Sequence, residues 1–268
     1  MKNRFLRFLF NLIIFSLGFL SLLAPFVIQQ ARNPGISSAS FPLMVSVILI
    51  LCLLLMIFEA QSTFLDSKMI AFLGVLIAIN AGLRFIENAI PGPAGFSPIF
   101  FLIILTGYSF GSRIGFLMGA MTMFVSGLLT GGVGPWLPGQ MITAGWLGQS
   151  SAILKPIIQG LKFQDKPGEI IALSFFSVIW GFLYGIIMNL WFWPFFSTSP
   201  GQTWLQTASL WENIGRYGAY YIATSLIWDI TRSIGNIVII GFLSRPILRV
   251  YERFIKRFSF EFVESNQS

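Results

Sequence analysis

The sequence contains no histidine and a single cysteine, Cys52. Histidine is the most common general base and a frequent transition-metal ligand, so its absence argues against hydrolytic chemistry and metal binding. One cysteine can form neither an intrachain disulfide nor a cysteine metal cluster. The chain also lacks a nucleotide-binding motif of the Gly-rich, Lys-Ser/Thr type. No nucleophile, base and orienting group can be assembled, and we therefore expect neither enzymatic activity nor a cofactor.

Charged residues are scarce as well. They make up 10% of the 268 residues, whereas 55% are hydrophobic and the mean hydropathy is +0.79; soluble domains carry about 25% charged residues. A helix needs about 20 mostly apolar residues to cross a bilayer. We therefore predict an all-α integral membrane protein of about eight transmembrane helices. The predicted spans are Phe5–Ile28, Phe41–Phe58, Lys68–Asn88, Ser97–Phe110, Arg113–Thr130, Pro138–Gly160, Glu169–Trp193 and Tyr217–Val250.

These spans suggest three regions. Residues 1–62 form a two-helix N-terminal extension, residues 63–250 a six-helix core, and residues 251–268 a cytoplasmic C-terminal tail. The first apolar run is too long for a secretory signal and is kept as a span. The segment Leu243–Phe260 combines apolar residues at helical spacing with five basic residues, which predicts an interfacial helix on the cytoplasmic surface.

The distribution of basic residues predicts the orientation. With the N-terminus inside, every Lys and Arg except Arg32, Arg84, Arg216 and Arg232 falls on a cytoplasmic segment. This bias predicts a multi-pass plasma-membrane protein with both termini in the cytoplasm. Anionic lipid headgroups account for the net charge of +7 more simply than nucleic acid does.

The connection Gly131–Gln140 is the most unusual local segment. It holds four glycines and two prolines, a composition that cannot continue a helix. One interpretation is a tight outer turn that Trp136 anchors at the membrane interface. The other is that Trp136, Gln140, Thr143 and Trp146 form one wall of a ligand pocket.

Two pairs of ionisable residues lie within predicted spans. Arg84 and Glu87, followed by Asn88, are three positions apart, as are Asp229 and Arg232, so each pair shares a helix face. Charge inside a bilayer is costly and needs a reason. Mutual neutralisation and ligand contact remain open alternatives for both pairs.

Other candidate substrate-binding residues lie toward the predicted extracellular side, where aromatic and hydrogen-bonding side chains are dense. An aromatic belt at the headgroup level is the competing explanation for the tyrosines. These candidates are Phe96, Asn189, Glu212, Asn213, Arg216, Tyr217 and Tyr220.

A stripe of small residues marks the third predicted span. Gly74, Ala78 and Gly82 are spaced four apart and share one helix face, which allows another helix to approach closely. Packing within the bundle and docking of a separate subunit both fit this pattern.

The region from Lys68 to Val250 resembles the substrate-binding S component of energy-coupling factor (ECF) vitamin transporters. The resemblance rests on six spans with both ends inside, on the small-residue stripe and on three sequence runs. The runs are Gly95-Phe-Ser-Pro-Ile-Phe-Phe-Leu102, Gly107-Tyr-x-Phe-Gly-x-Arg-x-Gly-Phe-x-x-Gly119 and Thr130-Gly-Gly-Val-Gly-Pro-Trp-Leu-Pro138. The two N-terminal helices depart from the six-span pattern.

The resemblance implies that a vitamin is captured from outside by the outer loops and the outer ends of the last three spans. It also implies that Gly74, Ala78 and Gly82 dock onto a transmembrane T subunit powered by two ATPases. Likeness to S components associated with corrinoids makes cobalamin or a corrinoid precursor the expected ligand, with riboflavin and thiamine as alternatives. The absence of histidine argues against metal ions as the substrate.

Two other classes of protein remain open. A membrane scaffold or assembly protein would use its aromatic residues only as lipid anchors. An ion-coupled carrier acting alone would find its only support in the two ionisable pairs.

Overall fold

The structure, a computed structural model, describes residues 67–90, 97–134, 136–194 and 199–265, with side chains as far as residue 257, and scattered positions between residues 12 and 54. Two predicted spans lie outside the described residues as complete helices, namely Phe5–Ile28 and Phe41–Phe58. The predicted site residue Phe96 also lies outside them.

The described part of the chain is entirely helical apart from its connections. The helices are α1 (Ser67–Ala89), α2 (Phe100–Phe110), α3 (Ser112–Thr130), α4 (Leu137–Ser151), α5 (Leu154–Gly160), α6 (Pro167–Phe192), α7 (Leu210–Thr224) and α8 (Leu226–Ser265), with a 3₁₀ turn at Pro200–Gln202. Within this part, α1, α3, α6 and Leu226–Arg257 of α8 are long and apolar enough to cross a membrane. The prediction of an all-α membrane protein is confirmed.

The bundle has two ends that differ in chemistry. The loop end carries the α3–α4 connection, the end of α6 and helix α7. The basic end carries α5 and the distal part of α8, with most of the described Lys and Arg residues. Gly131 closes α3 at the loop end in a left-handed conformation (φ 66°) that suits glycine.

Helix α2 is the centre of the bundle. It has only 11 residues and is about 16 Å long at 1.5 Å per residue. Its residues from Phe100 to Tyr108 are all buried, and α3, α4, α6 and α8 all contact it. Because protein rather than lipid surrounds it, the helix need not match the bilayer thickness, which explains how so short an apolar segment is accommodated.

Glycines bring α2, α3 and α4 into backbone contact. Gly107 of α2, Gly115 of α3 and Gly148 of α4 meet so closely that a Cβ at any of them would overlap a backbone atom of another. Gly119 approaches the Ala144 carbonyl in the same way. Close approach of this kind is how helices associate in lipid, where burying apolar surface gives little net gain.

The sixth predicted span, Pro138–Gly160, is divided into α4 and α5. The division falls at residues 152–153, one turn before Pro156. Proline has no N–H to bond to the carbonyl four residues earlier, which weakens the helix at that point. The prediction of one continuous span was wrong here.

The eighth predicted span, Tyr217–Val250, is also two helices. Ser225 separates α7 from α8 with a non-helical backbone (φ −131°, ψ −28°), and its hydroxyl donates to the Asp229 carboxylate at 3.0 Å. The Ser225 carbonyl accepts from the Asp229 N–H at 3.0 Å, as the carbonyl of the residue at a helix start does.

Helix α8 continues without interruption to Ser265. The predicted boundary at residue 250 therefore falls inside a helix. Tyr251 is only 2% exposed, and its ring packs against Phe72 of α1 and Phe110 of α2 at centroid distances of 5.7 and 5.1 Å. This part of the predicted interfacial segment packs on protein, while Arg249 and Arg253 on its other side are exposed.

Three described positions of the N-terminal extension contact the core. Gly18 lies against the ring of Trp146, Leu22 packs on the buried core, and the Phe26 ring lies 5.4 Å from that of Trp204. The positions are four residues apart, so they share one helix face. The extension is therefore in contact with the core along this face.

Candidate functional site

The two predicted ionisable pairs lie near each other beneath the loop end, close enough for Arg232 to act on the charge of Glu87. We call this group the central cluster: Arg84 and Glu87 of α1, Phe100 of α2, Tyr184 of α6, and Asp229 and Arg232 of α8. Arg84 lies five residues from the end of α1 and Arg232 six residues from the start of α8, depths of about 8 and 9 Å along the helices.

Asp229 is completely buried and accepts hydrogen bonds from three protein donors. These are the hydroxyls of Tyr221 at 2.8 Å and Ser225 at 3.0 Å, and the guanidinium of Arg232. Gly185 of α6 lies so close that a Cβ there would overlap the carboxylate. The contacts of Asp229 favour the neutralisation alternative for this residue.

Arg232 contacts α2 and α6 as well as its own helix, and its Nε is buried without a hydrogen-bond partner among the described residues. Its guanidinium donates to the Gly181 carbonyl at 3.0 Å and to Asp229. Its central carbon also lies 5.4 Å from the ring centroid of Phe100 and 5.3 Å from that of Tyr184, within the range of cation–π attraction. Through these contacts Arg232 joins α8 to α2 and α6.

The pair on α1 behaves differently. Arg84 and Glu87 do not form an ion pair with each other; each contacts another segment. Arg84 reaches α3, where it contacts the Met123 sulfur and the Ser126 hydroxyl, the latter at 3.4 Å. Glu87 accepts a hydrogen bond from the Ser97 hydroxyl at 2.8 Å. Mutual neutralisation by direct contact, one of the two alternatives for this pair, is not what the structure shows.

Three predicted binding residues on α7 and α4 stabilise their own loops. Ser209 caps α7 by accepting from the Glu212 N–H at 3.2 Å, and Glu212 forms an ion pair with Arg216 at 2.8 Å. Arg216 also donates to the Pro200 carbonyl at 2.7 Å. The Trp136 indole similarly donates to a carbonyl of its own loop, that of Gly132, at 3.2 Å, which favours the anchoring interpretation.

Two predicted asparagines join neighbouring segments. The Asn213 amide accepts from the Leu205 N–H at 3.0 Å and donates to the Leu205 carbonyl at 2.8 Å. Asn189 donates to the Gly185 carbonyl at 2.9 Å and accepts from the Thr224 hydroxyl at 3.0 Å. Both side chains have a structural use in the described contacts, and their role in binding stays a prediction.

The remaining predicted residues are spread over the loop half of the bundle. The Tyr217 hydroxyl donates to the Ile186 carbonyl of α6. Tyr220 and Trp146 are buried, whereas Asn88 is exposed at the end of α1 and Gln140 is half-buried in the first turn of α4. Contact of these residues with a substrate stays a prediction.

Several partners in the central cluster were absent from the predicted site. Phe100 and Tyr184 lie on Arg232, and Tyr221 and Ser225 hold Asp229. Within one helix the charged pairs stand out by their spacing, but their partners come from other helices and are aromatic or small polar residues. The two glycines that face α8, Gly181 and Gly185, are the signal that could have identified α6 as the neighbouring helix.

The predicted docking stripe lies on the outer side of α1. Gly74 and Ala78 are exposed, and no described atom lies within 4 Å of a Cβ placed at Gly74 or Gly82. The opposite face of α1 supplies the buried residues, including Leu76 and Asn80. The stripe is therefore not used for packing against the described bundle.

A polar cleft at the basic end was not anticipated from the sequence. It has a volume of about 260 Å³ and is lined by Lys155, Glu252 and Lys256, among others. At its wall the Tyr108 hydroxyl donates to the buried Glu169 carboxylate at 2.6 Å. The contact joins α2 to the start of α6.

Comparison with known proteins identifies the family. A family model described as the substrate-specific component of ECF transporters matches residues 68–244. Comparisons with curated proteins and with solved structures give no match. The matched segment extends from α1 into α8 and contains the whole central cluster and the small-residue stripe. Because it covers well over half of the chain, this protein belongs to the family of ECF transporter substrate-specific components.

Proposed function

We propose that this protein captures a vitamin-type organic micronutrient at the extracellular side of the plasma membrane and docks onto a T subunit with ATPases for uptake. Members of its family are transporter subunits rather than enzymes. The observation that carries the proposal is the central cluster, where charge and hydrogen-bonding groups lie within an apolar bundle beneath the loop end. Intramembrane charge at this depth is typical of a substrate site.

The proposed orientation places the loop end outside and the basic end, with both termini, in the cytoplasm. It is supported by the concentration of Lys and Arg residues at the basic end. Cobalamin or a corrinoid precursor is the first ligand to test, followed by riboflavin and thiamine.

The test is a binding screen on the purified protein combined with co-purification. We expect tight binding of one vitamin and recovery of a T subunit with two ATPases when these are co-expressed. A chain that binds no vitamin in a broad screen and recovers no partner would instead fit a scaffold. Uptake into liposomes without ATPases would support the ion-coupled carrier.

We further propose that Gly74, Ala78 and Gly82 form the docking face. Replacing Gly74 by tryptophan is expected to reduce co-purification of the T subunit by about tenfold or more, since a large ring prevents close helix approach. Ligand binding and thermal stability of the isolated subunit are expected to stay unchanged, because a side chain at Gly74 meets no described atom within 4 Å.

Gly241 provides the matched control for this experiment. It is exposed on α8, and a Cβ there also meets no described atom within 4 Å. Gly241→Trp is expected to co-purify with the T subunit like the unmodified protein. Equal co-purification of both variants would rule out α1 as the docking helix.

A further inference from the structure

We propose that Arg84 binds an anionic group, a carboxylate or a phosphate, of the captured molecule. This inference rests on the proposed function and specifies the chemical class of the substrate. It follows from a difference between the two arginines of the central cluster.

Arg84 has only neutral partners in the described part of the chain. Its guanidinium contacts a thioether, Met123, and a hydroxyl, Ser126. A guanidinium has five N–H donors in a planar fork and stays charged under all physiological conditions. A cationic side chain inside a membrane is costly and is normally matched by a counter-charge. Neutral acceptors leave most of its donors and its charge available.

Arg232 differs from Arg84 in having a direct counter-charge, although its buried Nε has no hydrogen-bond partner among the described residues. It has a carboxylate, a backbone carbonyl and two aromatic rings around it, and its side chain is 14% exposed. The carboxylate of Asp229 accepts from Arg232 and from two hydroxyls. Arg84 is not among its described donors.

Glu87 is the other carboxylate in the cluster, and it does not pair with Arg84 directly. It is held by Ser97, on the segment before α2, and both arginines act on its charge from a distance. Two opposite charges that are held apart by different segments can each contact a ligand. The Arg84 guanidinium can therefore donate to an acidic group of the captured molecule, while Glu87 can accept from an N–H or O–H of that molecule.

The aromatic residues of the cluster do not offer a competing mode of recognition. Phe100 is 3% exposed and Tyr184 is 8% exposed, and the Arg232 guanidinium lies over both. A flat ring could not stack on these faces without displacing Arg232. Charge, rather than stacking, is therefore the recognition chemistry available at this site.

The experiment measures binding of matched probe pairs that differ in an acidic group. The carboxylate arm uses biotin against biotin amide and pantothenate against panthenol. The phosphate arm uses riboflavin phosphate against riboflavin. We expect an acidic member to bind about tenfold or more tightly than its neutral partner, since a charge-assisted bidentate contact is lost in the latter. Tight binding of a probe from the first or the second arm shows whether the recognised group is a carboxylate or a phosphate.

Variants of Arg84 assign the preference to this residue. Arg84→Gln is expected to weaken binding of the acidic probe by about tenfold or more, so that the acidic probe no longer binds more tightly than its neutral partner. Its melting temperature without ligand is expected to be equal or higher, because an incompletely paired charge is removed. Arg84→Lys should retain part of the preference, and Arg249→Gln, which removes an exposed arginine at the basic end, should retain all of it.

The outcomes separate this inference from the proposed function. Binding of a neutral member as tight as that of its acidic partner, or an unchanged affinity in Arg84→Gln, overturns the inference and leaves vitamin capture standing. Failure of the unmodified protein to bind any probe or vitamin overturns both. If Arg84→Gln does not fold, the inference is still tested by whether the unmodified protein binds the acidic member of each probe pair more tightly than the neutral member.

Discussion

Replacing Gly148 by leucine is expected to prevent stable folding of the bundle. The glycine lies where α4 touches α3, and a Cβ at this position would overlap the carbonyl oxygen of Gly115. A backbone atom within a helix cannot move aside as a flexible side chain can, so the helices would have to separate. Overpacking typically costs 1–3 kcal/mol and sometimes more. We expect about 3 kcal/mol or more here, a large part of a total stability of about 5–15 kcal/mol.

Thermal unfolding in detergent and size-exclusion chromatography measure this effect. Gly74→Leu is the matched control, because the same substitution on α1 meets no described atom within 4 Å. Its melting temperature is expected to stay within about 2 °C of the unmodified protein, which corresponds to less than about 1 kcal/mol. A monodisperse Gly148→Leu protein with the melting temperature of the control would show that the helices are not in the described contact.

Asp229→Asn is expected to be the most destabilising change of a single charge. The substitution keeps the size of the side chain and its contacts with Tyr221 and Ser225, but it leaves the Arg232 cation buried without its carboxylate. Removing one partner of a buried ion pair costs about 3–5 kcal/mol. We therefore expect a strong fall in melting temperature and in the yield of folded protein.

The double variant Asp229→Asn with Arg232→Gln tests whether charge imbalance is the cause. Replacing both partners by neutral groups removes the uncompensated cation, so the double variant is expected to recover most of the stability lost in the single one. Glu212→Gln is the control, because it breaks an exposed ion pair of similar spacing, for which a loss of about 1 kcal/mol or less is expected. Additive losses in the double variant would contradict electrostatic coupling within the pair.

Much of the helix order followed from hydrophobicity alone. The predicted span Lys68–Asn88 and the observed helix Ser67–Ala89 agree to within one residue at each end, because a long apolar run in a membrane has no alternative to helix. The positions of helix breaks inside apolar segments were harder to predict. The break before Pro156 depends on the one backbone hydrogen bond that proline cannot donate. The break at Ser225 is accompanied by a hydrogen bond from the Ser225 hydroxyl to the Asp229 carboxylate.

The charged residues of the candidate site were found from the sequence, but their partners were not. Spacing along one helix brings Asp229 and Arg232 together, and the structure confirms this ion pair. The same spacing at Arg84 and Glu87 gives no ion pair, because Met123, Ser126 and Ser97 on neighbouring segments contact these side chains instead. Local spacing determines which residues can meet, whereas packing of the other helices determines which contact forms.

From the sequence alone it follows that this protein is helical and lies in a membrane, and that Gly74, Ala78 and Gly82 form a stripe that permits close helix contact. Which small residues pack inside the bundle became evident only from the three-dimensional arrangement of the helices. Gly107, Gly115 and Gly148 bring three helices into backbone contact, whereas a Cβ at Gly74 or Gly82 meets no atom within 4 Å in the part of the chain that the structure describes. The reason is that lipid and the protein interior are equally apolar. Hydrophobicity therefore cannot tell an inward helix face from an outward one, and only the packing of neighbouring backbones can.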